Sequence, residues 1–412
     1  MRIFVTGLCL QGNKGGPAIA LSLKQQITRY IPDARFVFAV PPGEEFRHER
    51  KWAPRYAVGV VEDFVWSDVL PRGGPRRMLN KAARLVRWIR TATSCDAVID
   101  MSAMSYIGPP VRPEASVLHR NRLRFFLACR SLLLPFVAWT QSYGPFSTPL
   151  IRRLARWDLG RLGHVLCRGE ESLGHVRELM PGKSASNFPD VAVVLNYDKQ
   201  VGKEHIRRVF PDGDTSRLVT LSPSAVLYEN AVGAGAGNAH VEQVVELCRH
   251  LIAGGYRVLF VPHTFRPGRH DPALCDFGVA QEVIAKFEND PQVGLVTDDL
   301  SPMDLKSIIS NAHVHVGGRY HSVVAALSSG VPCVSMSWHH KYKDIMRMYG
   351  CERYVHEGGI GSQVRRLIEL VDELLDERDA VAKRMIAAQV DVASEVDRNT
   401  RMVAGWLERL CR

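Results

Sequence analysis

Short apolar runs alternate along the chain with segments whose apolar residues recur at every third or fourth position. The first instance is an apolar run at 2–6, a glycine-rich turn at 7–16, and a periodic segment that starts near Pro17. Proline suits the first turn of a helix. In the periodic segment Ile19, Leu23 and Ile27 share one helical face. This alternation predicts an α/β protein built on parallel sheets.

The predicted strands form two groups with a polar stretch between them. The first group is 2–6, 35–40, 96–100, 135–141, 164–167 and 187–195. The second group is 217–222, 256–261, 293–296, 312–316 and 332–336. The segment 197–215 is predicted to link them. The chain is therefore predicted to form two Rossmann-like domains facing a central cleft, with ligands outside the carboxyl ends of the strands.

The domain boundaries follow from this grouping. We expect an N-terminal domain over 1–197 and a C-terminal domain over 215–385. From about residue 362 the pattern is helical to the end. The last part of it, 386–412, is expected to pack back on the N-terminal domain.

Composition narrows the class of protein. The chain has 412 residues, of which 46% are hydrophobic and 23% charged, which is ordinary for a soluble globular protein. Its apolar runs are too short for a membrane span, and its start does not resemble a signal peptide. The nine cysteines are scattered without a CxxC pair, which predicts buried thiols in a reducing compartment. We therefore expect a cytoplasmic protein.

The net charge of +10 favours anionic partners. Part of it lies in a predicted amphipathic helix, 76–90. Its apolar positions are Leu79, Ala82, Val86 and Ile89, and its basic positions are Arg77, Lys81, Arg84 and Arg87. Such a helix contacts an anionic membrane, here the inner membrane surface, or docks on the sheet with its basic face in solvent. It lacks the interleaved aromatics of a nucleic-acid platform, so no nucleic acid is expected.

The strongest candidate site is the turn GGRYHS, Gly317–Ser322, between a buried strand and a helix expected to start near Ser322. The start of a helix favours an anion. Arg319 adds a planar fork for an oxyanion, and His321 adds a group that titrates near neutral pH. The alternative is a solvated turn with an incidental arginine and histidine.

Other polar side chains also follow predicted strands. His263 ends the strand 256–261, and Lys341 and Lys343 follow the strand 332–336. At least one of the two lysines is expected at the surface. Arg168 follows the strand 164–167, where it faces the cleft or pairs with Glu170 or Glu171. His313 and His315 share a strand face without a third ligand nearby, so we expect no metal.

The segment 313–350 resembles the signature block of polysaccharide pyruvyl transferases. In that block an Arg-x-His turn is followed by a small-residue helix, a GVP strand and a lysine, which correspond here to Arg319, His321, Gly330–Pro332 and Lys343. Shorter elements follow the family order, including GNKGGPAIA at 12–20, TQSYGPF at 140–146, CRGEES at 167–172 and VLFVPHTF at 258–265. The resemblance covers about residues 1–350.

The resemblance implies a GT-B-like fold and no cofactor, with phosphoenolpyruvate as the donor substrate and a saccharide, free or lipid-linked, as the acceptor. The product would be a pyruvate ketal on the sugar. The predicted catalytic residues are His321, Arg319 and His263, with His321 or His263 as general acid. The C-terminal domain becomes the donor side, and its predicted donor-binding residues are Gly318, Arg319, His321, Ser322 and Lys343.

The N-terminal domain becomes the acceptor side, with Asn13 and Arg168 as predicted acceptor-binding residues. Here the chain departs from the family pattern, because Gly16 and Pro17 stand where an Asp-Glu pair is usual. Two alternatives remain open at this point. One is a nucleotide-sugar glycosyltransferase of the same architecture, and the other is a family member that binds without catalysis.

Overall fold

The structure is a computed structural model of the chain. It describes residues 1–10, 12–42, 44–64, 75–107, 134–266, 268, 270–287, 290–357 and 364–410. Within these ranges the side chains of residues 44, 45, 48, 75–77 and 410 are not described, so the side chain of Arg77 lies outside the described part.

The chain divides into two compact units. The first comprises Met1–Gln11, Ile19–Val191 and Glu395–Arg412, and the second comprises Gly12–Ala18 and Ala192–Ser394. The glycine-rich turn at 12–18 therefore belongs to the second unit, although it is surrounded in sequence by the first.

The first unit contains a five-stranded parallel sheet and two short strand pairs. Its strands are β1 (Arg2–Thr6), β2 (Arg35–Val40), β3 (Gly59–Glu62), β4 (Ala97–Asp100), β5 (Met104–Ser105), β6 (Phe136–Ala138), β7 (Ser142–Tyr143), β8 (Val165–Arg168) and β9 (Ala185–Phe188). The sheet order is β3-β2-β1-β4-β6, and β5 pairs with β7 as β8 pairs with β9.

Helices connect these strands. They are α1 (Gly15–Tyr30), α2 (Glu44–Trp52), α3 (Pro75–Thr93), α4 (Pro149–Leu159) and α5 (Glu170–Leu179). The first turn of α1 lies in the second unit and the rest in the first. Helix α4 shows how the sequence fixes an end, because the Thr148 side chain accepts a hydrogen bond from the Ile151 amide and Pro149 occupies the first turn.

Helix α3 contains the basic segment 76–90, and the face that it buries is not the face predicted from the sequence. Trp88 is fully buried, with its ring centroid 5.2 Å from that of Phe4 and 4.9 Å from that of Phe64. Leu79 and Val86, expected on the apolar side, are 70% and 45% exposed. The helix buries the stripe that contains Trp88 because an indole ring removes more apolar area from water than the smaller side chains do.

The second unit contains a six-stranded parallel sheet. Its strands are β10 (Leu218–Ser222), β11 (Arg257–Phe260), β12 (Val293–Leu295), β13 (Val314–Gly317), β14 (Cys333–Ser337) and β15 (Val355–Glu357). The order is β12-β11-β10-β13-β14-β15. Every residue of β10, β13 and β14 is buried, which is why these segments are continuous runs of mainly apolar residues in the sequence.

The helices of the second unit pack around this sheet. They are α6 (Lys199–Val209), α7 (Ala225–Gly233), α8 (Ala239–Ala253), α9 (Asp276–Ile284), α10 (Pro302–Ile309), α11 (Tyr320–Ser328), α12 (Lys341–Met348) and α13 (Val364–Asp376). A last helix, α14 (Arg378–Leu410), passes from the second unit into the first at residue 395. None of the described helices is long and apolar enough to cross a membrane.

Two predictions around residue 200 are wrong. The prediction of a single strand over 187–195 fails, because β9 ends at Phe188 and Val191–Val194 form a 3-10 helix. The expected linker 197–215 contains α6, which the Asp198 side chain caps at the Gln200 amide. The polar composition of this segment hides the helix, because α6 buries only a narrow stripe at Gly202 and Ile206. That stripe packs on α10.

Candidate active site in the second unit

The turn at 317–319 is held tightly between β13 and α11. The Gly318 amide donates to the Ser222 carbonyl at 2.8 Å, and the Tyr342 hydroxyl donates to the Gly318 carbonyl at 2.9 Å. A Cβ atom at Gly318 would lie 3.0 Å from Cβ of Ser224, so glycine permits the close approach. Gly318 is one of the residues predicted to bind the donor substrate. It shapes the turn, and its amide already donates to a protein carbonyl.

Arg319 is the N-cap residue of α11, and a buried carboxylate fixes its guanidinium. Its Nε lies 2.8 Å from both carboxylate oxygens of Asp276, and its Nη2 lies 2.6 Å from Oδ1. Asp276 is completely buried and also accepts the Ala225 amide at 2.8 Å. Burial lowers the pKa of Arg319, but Asp276 outweighs burial and raises that pKa above its ordinary value. The side chain is thus a fixed cation.

The nitrogens of Arg319 divide into two groups. Nε and Nη2 serve Asp276, whereas no described residue accepts a hydrogen bond from Nη1. No local signal in the sequence points to Asp276, which is 43 positions away from Arg319. A charge-assisted pair of this kind presents the remaining N–H donors in a fixed direction.

His321 is the second residue of α11, and its ring packs on the glycine-rich turn. A Cβ atom at Gly15 would lie 2.7 Å from Cε1 of His321, closer than real atoms come. The turn is tied to the end of β11, because the Lys14 amide donates to the His263 carbonyl at 2.8 Å. The glycines at 12–16 therefore allow the chain to pass against a predicted catalytic histidine.

Asn13 lies in this same turn, which corrects its predicted place in the N-terminal domain. It forms an antiparallel bridge with Thr264, and its Oδ1 accepts the Gly15 amide at 3.1 Å. Asn13 belongs to the second unit, together with His263 and His321. A strand-turn-helix pattern places such a turn next to its own strand, so the sequence could not reveal that it joins the other unit.

His263 is buried just beyond β11, and its environment keeps the ring neutral at pH 7. Its Nδ1 lies 3.1 Å from the Val261 carbonyl and 3.3 Å from Oγ of Ser222. Burial lowers the pKa of His263 to about 4, so the ring is neutral at pH 7. A carbonyl only accepts hydrogen bonds, which assigns the ring proton to Nδ1 and the lone pair to Nε2. A neutral imidazole of low pKa does not fit the general-acid role.

Ser322, also predicted to bind the donor substrate, is fully buried. Its hydroxyl donates to the Arg319 carbonyl at 2.8 Å and lies 3.0 Å from Nε2 of His315. Nδ1 of His315 lies 3.0 Å from the Thr220 hydroxyl, and burial lowers the pKa of His315 to about 3. Both ring nitrogens of His315 are thus engaged by neighbouring hydroxyls. The Ser322 hydroxyl contacts His315 and the Arg319 carbonyl, and so links the turn to the sheet.

The two lysines after β14 have different environments. Lys343, which the family pattern points to, is half-exposed and forms an ion pair with Glu357. Lys341 is buried, and its Nζ lies 4.4 Å from the ring centroid of Trp338 and 5.2 Å from that of Tyr320. Since Tyr320 adjoins His321, the structure brings Lys341, and not Lys343, toward the turn.

Arg168 in the first unit is buried at the end of β8. Its Nη1 pairs with Asp190 at 2.5 Å, its Nε donates to Oγ of Ser142 at 3.1 Å, and its Nη2 donates to the Ala103 carbonyl at 2.7 Å. The buried carboxylate that pairs with Arg168 is thus Asp190. Asp190 lies close to Arg168 because it follows β9, the strand that pairs with β8.

A small cavity in the second unit brings the two candidate histidines together. It has a volume of about 10 Å³, and Lys14, His263, Lys306 and His321 supply its polar wall. Neither lysine is among the site residues that the sequence predicts. Lys14 is buried with Nζ 2.5 Å from Asp299, and Lys306 lies inside α10. A lysine in an apolar helix stripe gives no sign in sequence that it will be buried.

Known protein families and solved structures include relatives of this chain. The family model described as polysaccharide pyruvyl transferase matches residues 13–340, a range that contains Asn13, His263, Arg319 and His321. No protein with a curated description matches the chain in sequence.

Several solved structures share the fold. The UDP-GlcNAc 2-epimerase from Neisseria meningitidis matches with a TM-score of 0.60 at 10% identity, covering 99% of this chain and 100% of that one. Anabaena HepE in complex with UDP matches with a TM-score of 0.55 at 12% identity, covering 99% of both chains. The UDP-GlcNAc 2-epimerase from Methanocaldococcus jannaschii matches with a TM-score of 0.55 at 12% identity, covering 91% and 93%. The predicted GT-B-like α/β class is confirmed.

Proposed function

Because the chain belongs to the polysaccharide pyruvyl transferase family, we propose that it moves the pyruvyl group of phosphoenolpyruvate onto sugar hydroxyls. The acceptor is a polysaccharide or glycan precursor, and the product is a pyruvate ketal with release of phosphate. The observation that carries the proposal is the cluster at one edge of the six-stranded sheet. There Arg319, fixed by Asp276, stands two residues from His321, which shares a cavity wall with the neutral His263.

The donor has two anionic groups, so its pocket needs a fixed cation. Arg319 supplies one whose charge does not change in any accessible pH range, because Asp276 holds it. Its Nη1 donors are the ones available to a carboxylate or phosphate of the donor. Lys341 adds a second positive charge beside Tyr320. Fixed cations stabilise the charge that moves to phosphate during transfer.

The reaction needs one proton donor and one proton acceptor. In the proposed order, His321 gives a proton to the methylene carbon of phosphoenolpyruvate while a sugar oxygen bonds to C2. His263, which is neutral at pH 7, takes the proton of that hydroxyl through Nε2. The C2–O bond to phosphate then breaks, and a second hydroxyl bonds to C2. The proton of the second hydroxyl leaves with the phosphate, and the proton on His263 returns to His321, so both histidines regain their starting forms and the atoms and charges balance.

Arg168 is the proposed acceptor-side residue of the first unit. Its contacts with Asp190, Ser142 and Ala103 fix the segment in which β5 and β7 pair. Asn13, the other predicted acceptor residue, lies beside Thr264 in the unit that carries the donor residues. We therefore propose that Asn13 contacts the sugar hydroxyl close to the reacting carbon.

The test is phosphate release from phosphoenolpyruvate in the presence of free and lipid-linked saccharides, with mass spectrometry of the glycan. The proposal requires one pyruvate ketal for each phosphate released. Release of nucleotide from a UDP- or GDP-sugar would identify a glycosyltransferase instead. Saturable binding of phosphoenolpyruvate without phosphate release, across the acceptor panel, would identify a binding protein.

The exposed side of α3 supports a membrane contact, with the protein in the cytoplasm at the inner membrane surface. Leu79 and Val86 are exposed on this helix next to Arg87 and Arg90. Apolar side chains beside arginines suit the surface of an anionic bilayer. Vesicle flotation tests this contact. Leu79→Ser with Val86→Ser should abolish binding to anionic vesicles, whereas Val390→Ser, at an equally exposed position of α14, should not. Equal binding by both variants would contradict the contact.

A further inference from the structure

Lys306 is a buried cation that the proposed reaction does not use. It is only 3% exposed, and lysines are seldom buried so completely. Its Nζ donates to the carbonyls of Leu195 at 3.1 Å and Val193 at 3.4 Å, and lies 5.1 Å from the ring centroid of Tyr197. No carboxylate among the described residues forms an ion pair with it. Its charge is therefore compensated only by dipoles and a ring.

The cavity connects Lys306 with the candidate histidines. Lys306 shares the cavity wall with Lys14, His263 and His321, and the remaining wall is apolar. A volume of about 10 Å³ is near the minimum that admits one water molecule. An electrostatic interaction across such a small, largely apolar space is weakly screened. Lys306 and His321 therefore line one small space in which a charge is weakly screened.

The other charged groups around this space have partners that limit their influence. Lys14 is paired with Asp299, and His263 is neutral at pH 7. From α6, the Asp198 carboxylate caps the Gln200 amide. Tyr197 offers its ring face to Lys306. Lys306 differs from these groups, since burial lowers its pKa to about 7 and its charge therefore changes near neutral pH.

We propose that Lys306 is a positioning residue that controls the protonation of His321 across the cavity that the two side chains line. When Lys306 is charged, it disfavours the imidazolium form of His321. When Lys306 loses its proton, His321 keeps its own proton to higher pH. The link to catalysis rests on the proposed function, in which His321 gives the proton, but the electrostatic link does not.

The experiment is a pH titration of the His321 ring by NMR in protein labelled at histidine Cε1, with the signal assigned by its loss in His321→Gln. Lys306→Met removes the charge at similar length, and Lys203→Met makes the same change at an exposed position of α6. We expect the His321 titration midpoint to rise by about half a pH unit or more in Lys306→Met, the scale of one weakly screened charge. Lys203→Met should leave it unchanged.

Two further variants separate charge from packing. Lys306→Gln keeps a donor for the two carbonyls without the charge, so it should reproduce the shift even if Lys306→Met folds poorly. Lys306→Arg keeps the charge and should not raise the midpoint. An unchanged midpoint in folded Lys306→Gln would overturn the inference.

The activity profile then distinguishes the two proposals. If the protein releases phosphate from phosphoenolpyruvate, Lys306→Gln should move the alkaline limb of kcat upward by the same amount as the NMR midpoint. If no phosphate is released from phosphoenolpyruvate but the midpoint shifts, the proposed function fails and the control of His321 by Lys306 stands. If phosphate is released but the midpoint does not shift, the control of His321 by Lys306 fails and the proposed function stands.

Discussion

Each unit places an arginine just after or at the end of a strand and pairs it with a buried aspartate. Arg168 meets Asp190 in the first unit, and Arg319 meets Asp276 in the second. The difference lies in the other donors. All three nitrogens of Arg168 donate to protein acceptors, whereas Nη1 of Arg319 has none among the described residues. The same ion pair can thus hold a fold together or aim a cation at a ligand.

A second pair of features repeats this contrast. Gly144 packs on the ring of His175 in the first unit, as Gly15 packs on the ring of His321 in the second, and a Cβ atom at either glycine would come within 2.7 Å of the ring. His175 lies in the middle of α5, and its Nδ1 is 3.1 Å from the Tyr143 carbonyl. His321 stands two residues after Arg319. We therefore assign the proposed proton transfer to His321, which lies beside an arginine whose Nη1 has no acceptor among the described residues.

Low pH should produce the largest difference in stability between the two units. Burial lowers the pKa of His240 and His263 to about 4 and that of His315 to about 3, all in the second unit. Between pH 6.5 and these values the unfolded chain binds protons that the folded unit refuses, so stability falls as pH falls. By the usual conversion the loss is about 3 kcal/mol each for His240 and His263 and about 5 kcal/mol for His315. Hydrogen exchange by mass spectrometry should show the second unit opening first on acidification. Earlier opening of the first unit would contradict the burial of these rings.

Removal of either aspartate should come next in size. Asp276→Ala and Asp190→Ala each remove a buried carboxylate that pairs with an arginine, which costs about 3–5 kcal/mol. Urea unfolding of each variant measures this loss. The two variants should diverge in phosphoenolpyruvate binding, which only Asp276→Ala should weaken. Equal weakening by both would mean that Arg319 has no special role.

The histidines give the third comparison. His321→Ala should lower turnover about 100-fold or more, the scale of losing a general acid. His175→Ala removes a ring that packs on a glycine in the same way and should stay within a few-fold of the wild type. Phosphate release from phosphoenolpyruvate is the measurement. If the two variants behave alike, His321 has no part in proton transfer.

The glycine that adjoins His321 should show the smallest effect. Gly15→Ala forces a methyl group into the imidazole, and such overpacking costs about 1–3 kcal/mol. Gly163→Ala is the matched control, because a Cβ atom there meets nothing within 4 Å. The Tm of unfolding and the turnover rate should both fall in Gly15→Ala and stay unchanged in Gly163→Ala. A Gly15→Ala protein with unchanged stability would show that the turn does not press on His321.

The strands and the Arg319 turn were predictable from sequence, whereas the partners that tune the site were not. Buried parallel strands such as β10 and β13 are continuous runs of mainly apolar residues, so periodicity finds them. Helix α6 was missed because only Gly202 and Ile206 are buried on it. Asp276 is distant in sequence from Arg319, and its role arises only when β13 and the start of α9 meet. Local patterns carry no information about such pairs.

The most direct test of the central claim is thermal unfolding with phosphoenolpyruvate, and separately with UDP- and GDP-sugars, for the wild type, Arg319→Lys and Arg168→Lys. A ligand at about 100 times its Kd adds about 2.7 kcal/mol to the native state, which raises Tm by a few degrees. We expect phosphoenolpyruvate to raise Tm in the wild type and in Arg168→Lys, but not in Arg319→Lys, because a lysine cannot replace the fork. A rise in Tm with a nucleotide sugar alone, or an equal rise with phosphoenolpyruvate in Arg319→Lys, would contradict the claim that Arg319 binds the pyruvyl donor.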